Sequence, residues 1–328
     1  NFISDSFNVE FWFIIFALFA FITILGGVKN GIERSSKIMM PILVVLAIMV
    51  VIYSVTRPGA IEGVKYFLIP NFEDFSIMTI VAAMGQMFYS LSIAMGILYT
   101  YGSYLEKDVD IEKSTKQVEL FDTAIAILAG LMVIPAVFAF STEAVFAFSG
   151  GNPDTLQAGP SLMFITLPKV FASMGAGTIA GILFFLLVFF AALTSAISLL
   201  ETSVSSLSQQ FHISRNKAIV IMAFVMLAFG TTSCLGYGVW DFISIFGMAF
   251  LDFYDFLTNS IMMPIAALAT CILIIKVVGF QKIIDEVKIS SPFKREKMYV
   301  FFMKYLALFF LIIILLSSVA SVLGIISM

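Results

Sequence analysis

Long apolar runs, separated by shorter polar segments, organise the whole chain. Eight runs are close to or above the roughly 20 residues that a helix needs to cross the hydrocarbon core of a bilayer. They cover residues 11–27, 37–56, 77–101, 118–140, 177–208, 217–235, 251–275 and 299–327. Apolar and polar positions do not alternate within them, which argues against the strands of a membrane barrel. Because backbone polar groups in lipid must be satisfied within the segment, the pattern predicts an all-α polytopic membrane protein with about eight transmembrane helices.

Composition agrees with this class of protein. The 328 residues are 61% hydrophobic and 12% charged, whereas a soluble domain is roughly half apolar and a quarter charged. The sequence contains no Walker loop, no dinucleotide fingerprint and no Cys/His cluster with metal-ligand spacing. We therefore predict that the protein is not an enzyme and does not bind nucleic acid. The candidate boundaries are all loops between spans, so we predict one integral membrane domain over residues 1–328.

The distribution of basic residues predicts the topology. Most of the 18 Lys and Arg residues lie in the loops around 28–37, 105–117, 210–217 and 276–298. The positive-inside rule assigns these loops to the cytoplasm. The prediction is a multi-pass protein of the plasma (inner) membrane, with both ends of this chain extracytoplasmic.

The third span contains an unusually polar stretch, GQMFYSLSIAMG, at residues 85–96. Gln86 and Ser90 are four residues apart and share a helix face. Gly85 and Gly96 each lower helix propensity by about 1 kcal/mol relative to Ala. One interpretation is a discontinuous helix whose freed backbone groups bind ions and substrate. The other is close helix packing at small residues.

A polar stripe on the fifth span is the second candidate site. Its members recur at spacings of three, four and seven residues, as expected for one helix face: Ala191, Thr194, Ser195, Ser198, Glu201, Thr202 and Ser205. Hydroxyl and carbonyl oxygens are hard ligands that suit a small cation such as sodium. The alternative is that the hydroxyls bond to carbonyl groups of the preceding turn. Glu201 needs a partner or a proton, because an ionised carboxylate is costly in a span.

Two further acidic sets lie towards the ends of predicted spans. Glu119 and Asp122 are near the start of the fourth span, and Asp252, Asp255 and Asn259 are on one face of the seventh. Solvated helix ends are the alternative reading of both sets.

Three stretches resemble one transporter family. GQMFYSLSIAMGILYTYGSYL (85–105) resembles the sixth-helix signature of the neurotransmitter:sodium symporter family. FFAALTSAISLLE (189–201) resembles its eighth helix, and GVKNGIERSSKIMMP (27–41) resembles the start of its fifth. Order and spacing agree from the family's fourth helix to its eleventh. The resemblance implies the bacterial LeuT-type fold, with the sixth helix broken at midplane.

The family's first three helices have no counterpart in this sequence. Because the first and third helices supply ligands in the family, we expect no complete site from this chain alone. The expectation is a fragment, or a protein whose N-terminal helices are a separate partner. If the chain is instead complete, a non-transporting membrane scaffold or partner subunit is favoured.

The resemblance also implies a set of site residues. The helix break follows Tyr89 and Ser90 and includes Ser92. The implied substrate-side residues are Tyr89, Ser90, Ser92, Met95, Ser195 and Leu199. One sodium site is implied at Ser90 and Asp122, and a second at the Ala191 carbonyl with Thr194 and Ser195.

Further roles are implied outside the sodium sites. Gln86 and Ser90 match chloride-site positions, but Ala126 stands where chloride-dependent members carry Ser. The Asp122 carboxylate can offset sodium charge, so we predict that chloride is not needed. Three more roles are implied or inferred: an outer gate at Asp255, a proton site at Glu201, and a gating helix at Gly31 and Pro41.

These residues predict sodium-coupled symport of a neutral, large apolar or aromatic amino acid by alternating access across the bilayer. The alternative within transport is a proton-coupled relative that uses Glu201 or Asp122.

Overall fold

The structure of the protein is a computed structural model that describes residues 5–72, 75–139, 163–164, 167–173 and 177–322. These residues form helices, turns and loops, together with one isolated β-bridge between Ile245 and Met248. The predicted all-α fold is therefore confirmed. The α-helices, in chain order, are α1 (Ser6–Leu25), α2 (Arg34–Val55), α3 (Ala60–Leu68), α4 (Ile77–Ser90), α5 (Ile97–Gly102), α6 (Ile111–Ala139), α7 (Leu167–Ser173), α8 (Gly177–Gln210), α9 (Arg215–Leu235), α10 (Phe250–Asp255), α11 (Met263–Leu273), α12 (Phe280–Val287), α13 (Glu296–Phe301) and α14 (Ala307–Val322).

Several of these helices continue through π-helical turns, in which each backbone hydrogen bond spans one residue more than in an α-helix. Four such π-helical turns adjoin these helices: Val28–Glu33, Phe256–Met262, Ile274–Val278 and Phe302–Leu306. The first leads directly into α2. The next two flank α11, and the last joins α13 to α14.

Seven helical stretches of the described residues are long and apolar enough to cross a membrane. They are Ser6–Leu25, Val28–Val55, Ile111–Ala139, Gly177–Gln210, Arg215–Leu235, Phe250–Val278 and Glu296–Ser317. Each corresponds to one predicted span. The remaining predicted span, 77–101, is divided between the shorter helices α4 and α5. Helix α6 begins at Ile111, before the predicted start at 118, so Asp122 lies about three turns inside the helix.

The chain divides into two compact units. The first contains Asn1–Ile32, Ser76–Glu119 and Ala196–Met328. In this unit α1 packs along α9, and α14 packs against both α4 and α11. Gly230 permits the close approach of α1, because a Cβ atom at this position would lie 2.1 Å from Cζ of Phe13. Small residues allow helices to approach in this way.

The second unit contains Glu33–Phe75 and Leu120–Ser195. Its apolar core includes Leu43, Val50, Met132 and Phe184. The buried hydroxyl of Ser54 donates a hydrogen bond of 2.8 Å to the Met132 carbonyl, which joins α2 to α6. A buried hydroxyl is costly without a partner, so this bond removes the penalty. The prediction of one domain over the whole chain stays a prediction.

Candidate functional site

The polar stretch of the third predicted span interrupts its helix. Helix α4 ends at Ser90 and α5 begins at Ile97, with turns between them. Ser92, Ala94 and Gly96 have positive φ angles of 54°, 69° and 80°. A non-glycine residue in this region is uncommon, and such strain clusters at ligand sites. The prediction that the break follows Ser90 and includes Ser92 is confirmed.

The two glycines of the stretch have different surroundings. Gly96 has a positive φ, and a Cβ atom there would lie 2.9 Å from Cγ2 of Thr202 on α8. Both observations require glycine. A Cβ atom at Gly85 would meet no described atom within 4 Å. Close packing, the alternative interpretation of this stretch, therefore explains Gly96 and not Gly85.

Four of the predicted substrate-side residues of the first unit lie at the interruption, and a fifth, Leu199, lies on α8. Tyr89, the penultimate residue of α4, is 48% exposed. Ser90 is also exposed, while Ser92 and Met95 in the interruption are half-buried. Leu199, on α8, is 45% exposed. These side chains are accessible to a small molecule, and their substrate-binding role stays a prediction.

The predicted ligands of the second sodium site lie together on α8 in the second unit. The Thr194 hydroxyl donates a hydrogen bond of 2.9 Å to the Ala191 carbonyl, and Ser195 follows directly. This is the back-bonding geometry of Thr in helices. The same geometry keeps one hydroxyl oxygen and one carbonyl oxygen close together, as two ligands of a single cation must be.

The other predicted ion ligands are distributed between the units. Ser90 and Gln86, on α4, belong to the first unit, and both are exposed. Asp122 and Ala126, on α6, belong to the second unit. Asp122 is half-buried. The first sodium site and the chloride-position residues therefore stay predictions.

Asp255 lies at the end of α10, where the helix changes into the π-helical turn Phe256–Met262. The Asn259 amide nitrogen donates a hydrogen bond to the Asp255 carboxylate, four residues earlier. The predicted shared face of these two residues is confirmed. The outer-gate role of Asp255 stays a prediction.

The predicted gating residues occupy two different environments. Gly31 lies in the π-helical turn before α2, where a Cβ atom would be 2.0 Å from the Thr23 carbonyl oxygen. A larger side chain is therefore excluded in this conformation. Pro41 lies inside α2, well after its start at Arg34. It is not the N-terminal proline of an ordinary helix start, because that position is the first residue of a helix.

Glu201 sits at the centre of an ion-pair network in the first unit. Its side chain is fully buried. Nη1 of Arg215 donates to Oε1 at 2.8 Å and Nη2 donates to Oε2 at 2.6 Å, while the Tyr104 hydroxyl donates to Oε1 at 2.8 Å. Bidentate guanidinium contacts of this kind are among the strongest hydrogen bonds in proteins. The Glu201 carboxylate is thus held in an ion pair with Arg215, and its role as a proton site stays a prediction.

Sequence reasoning missed the partners of Glu201. Arg215 begins the next helix, and its Nη2 also donates to the Ile24 carbonyl at the end of α1, at 3.1 Å. Tyr104 follows α5, and burial is the main cause of its raised pKa. A second contact joins α5 itself to α8, because the Tyr101 hydroxyl lies 2.9 Å from Oγ of Ser198. One sequence feature could have indicated this pair. Arg215 begins the span that follows the one carrying Glu201, and two consecutive spans joined by a short loop run antiparallel, which brings the end of one close to the start of the next.

A polytopic helical protein with a discontinuous, hydroxyl-bearing helix has the architecture of a secondary transporter. Comparison with known proteins agrees. The model of the sodium:neurotransmitter symporter family matches residues 2–325. The chain belongs to this family.

Individual relatives give the same result. The chain is 33% identical over 314 residues to an uncharacterized sodium-dependent transporter, YhdH, of Bacillus subtilis, and the match covers 96% of this chain and 66% of that protein. It is 34% identical over 272 residues to an uncharacterized sodium-dependent transporter of Haemophilus influenzae, a match that covers 83% of this chain and 57% of that protein. The crystal structure of MhsT in complex with L-phenylalanine matches with a TM-score of 0.83 and 34% identity, over 97% of this chain and 69% of that one. The predicted LeuT-type fold is thereby confirmed, and the chain spans about two-thirds or less of the length of the two curated relatives.

Proposed function

We propose that this chain forms the larger part of a sodium-coupled symporter for a neutral, large apolar or aromatic amino acid, working by alternating access. The observation that carries the proposal is the interrupted helix at residues 91–96. There the backbone leaves the α-helical pattern, with Ser90 just before the break and Ser92 inside it. Backbone carbonyls and hydroxyls at such a break are suited to an amino acid and a cation.

Sodium is assigned to two oxygen-rich sets. One uses the paired Ala191 carbonyl and Thr194 hydroxyl together with Ser195. The other uses Ser90 and Asp122. Each set offers hard oxygen ligands, and none contains a thiol or imidazole that would favour a softer metal. Sodium ordering of the interrupted segment then raises substrate affinity, and by linkage the substrate raises sodium affinity by the same factor.

The polarity of the proposed pocket supports an uncharged side chain. Its members are Tyr89, Ser90, Ser92, Met95, Ser195 and Leu199. A charged substrate side chain would lack a partner among them and would cost several kcal/mol in a low-dielectric site. Met95 is flexible and polarisable, and sulfur contacts favour aromatic rings. MhsT, whose crystal structure contains L-phenylalanine, is consistent with this preference.

A competition panel tests the substrate class. Each of the twenty amino acids competes against sodium-driven uptake of labelled phenylalanine by the purified complete transporter in vesicles. Trp, Tyr, Phe, Leu and Met are expected to compete best. Met95→Phe stiffens and narrows the pocket and is expected to shift preference toward smaller side chains, while Met49→Phe, at an exposed position on α2, serves as the matched control. Best competition by Glu, Lys or Gly contradicts the proposed pocket.

A further inference from the structure

A tight hairpin connects α9 to α10. Ile245 and Met248 exchange two backbone hydrogen bonds, each 3.0 Å long. The two residues between them, Phe246 and Gly247, have positive φ angles of 53° and 78°. Two consecutive residues in the left-handed region define the type I′ turn of a two-residue hairpin.

Phe246 is an unusual residue at this position. Type I′ turns favour Asn, Asp and Gly, because a bulky side chain is strained at positive φ. Its side chain is nevertheless 86% exposed, so packing against the described residues does not compensate for the strain. An observed strain of this kind points to a function for the residue that carries it.

Phe246 belongs to a larger exposed apolar surface. In the segment Val239–Met248, which we call the aromatic hairpin, Val239 is 63% exposed and Phe242 is 78% exposed. Asp241 is the single charged residue of the segment. The half-buried Trp240 ring packs against Phe250, with centroids 6.1 Å apart, whereas the exposed Phe246 ring only borders Phe253, at 6.3 Å.

The aromatic hairpin lies at the same level as the start of α1. The Val239 backbone N–H donates a hydrogen bond of 3.2 Å to Oγ of Ser6, the first residue of α1. The first turns of α1 also expose large apolar side chains, namely Phe7, Phe11 and Trp12. The hairpin joins the ends of two membrane-crossing helices, Arg215–Leu235 and Phe250–Val278, so it lies at a membrane surface.

We propose that the aromatic hairpin is a membrane-interface anchor, in which Phe242 and Phe246 enter the headgroup region of the adjacent leaflet. Aromatic side chains concentrate in that region, where their rings are partly shielded from water. A lipid surface fits the aromatic hairpin better than a charged ligand, because its exposed tip carries no charge. The turn holds the Phe246 ring towards the headgroup region, and burial of the ring there offsets the strain of the backbone.

Fluorescence quenching tests the position of the tip. The chain has two tryptophans, Trp12 and Trp240. Both are changed to Phe and Phe246→Trp is added, and the protein is reconstituted in phosphatidylcholine vesicles with lipids brominated on the acyl chain near the headgroup. We expect these lipids to quench the new tryptophan at least about twofold, as an interfacial aromatic requires, while iodide in the water has little effect. Gln281→Trp, on the exposed face of α12, is the control that iodide should quench.

Two results overturn the anchor. Strong quenching of the position-246 tryptophan by iodide places the tip in water. Quenching by neither agent shows that a protein segment covers it.

A second variant separates anchoring from folding. Phe246→Asn suits the left-handed turn, so the melting temperature in detergent should stay the same or rise. In vesicles, with Trp12→Phe, quenching of Trp240 by the same brominated lipids should fall, because the tip is no longer held in the interface. A lower melting temperature in detergent, or unchanged quenching of Trp240, contradicts the proposal.

Discussion

Arg215 holds both carboxylate oxygens of Glu201, at 2.8 and 2.6 Å, while the Glu201 side chain is completely buried. A buried charge is tolerable because its counter-ion and hydrogen bonds replace the lost water. The same guanidinium reaches the Ile24 carbonyl, so one side chain connects the end of α1 with α8 and α9. The pair thus fixes three helices of the first unit.

Removal of one member of this pair should destabilise the protein strongly. Arg215→Gln leaves the Glu201 carboxylate buried without its counter-ion. Breaking a fully buried pair costs about 3–5 kcal/mol, and the 34% exposure of the Arg215 side chain reduces this loss. The double variant Arg215→Gln/Glu201→Gln removes both charges and should recover part of this loss. Denaturant unfolding in detergent gives the free energies. Equal stability of the single and double variants would show that the buried charge is not the cause.

Gly96 should tolerate no side chain, for two separable reasons. Gly96→Ala places a Cβ atom in the left-handed region, which costs about 1–2 kcal/mol. It also places that atom 2.9 Å from Cγ2 of Thr202. Adding Thr202→Ser removes the methyl group and should restore part of the stability, while Gly102→Ala, where a Cβ atom has open space, should be nearly neutral. No rescue by Thr202→Ser would disprove the steric part of this account.

Much of the fold could be predicted because hydropathy marks helices that cross a bilayer. The position of the break at residues 91–96 was implied by the family resemblance, because the glycines and serines alone left close helix packing open. The start of α6 at Ile111 was missed, because its first turns carry charges and extend beyond the apolar run. The Arg215–Glu201 pair was missed because it depends on the rotation of α8 and α9 about their own axes, which decides which faces of the two helices meet. The strained Phe246 gave no sequence signal, since Phe is not a turn residue.

Asp122 should make chloride unnecessary. The resemblance places this carboxylate where many family members carry Asn, and Ala126 offers no anion ligand. In the complete transporter, Asp122→Asn removes one negative charge beside the proposed sodium ion and should lower sodium affinity or make uptake chloride-dependent. Uptake is measured in chloride and gluconate buffers. A chloride requirement in the unmodified protein would rule out this role.

Pro41 should weaken the start of the second span so that it can open. Proline lacks the N–H that would bond to the carbonyl four residues earlier, at Lys37, and costs a helix interior about 3 kcal/mol. Pro41→Ala should therefore slow transport while substrate binding is spared. Turnover and equilibrium binding are compared, with the exposed neighbour Met40→Ala as the control. Unchanged turnover would make Pro41 a structural residue only.

The proposal of sodium-coupled transport is tested most directly by uptake of labelled phenylalanine into vesicles that contain the purified complete transporter. Sodium, potassium or a pH gradient is imposed in parallel. We expect accumulation above equilibrium with an inward sodium gradient and its loss when sodium is replaced by potassium. Thr194→Val keeps the side-chain shape but removes the hydroxyl ligand, and we expect it to reduce the sodium dependence of uptake. Equal uptake without sodium, or accumulation driven by the pH gradient alone, would contradict it.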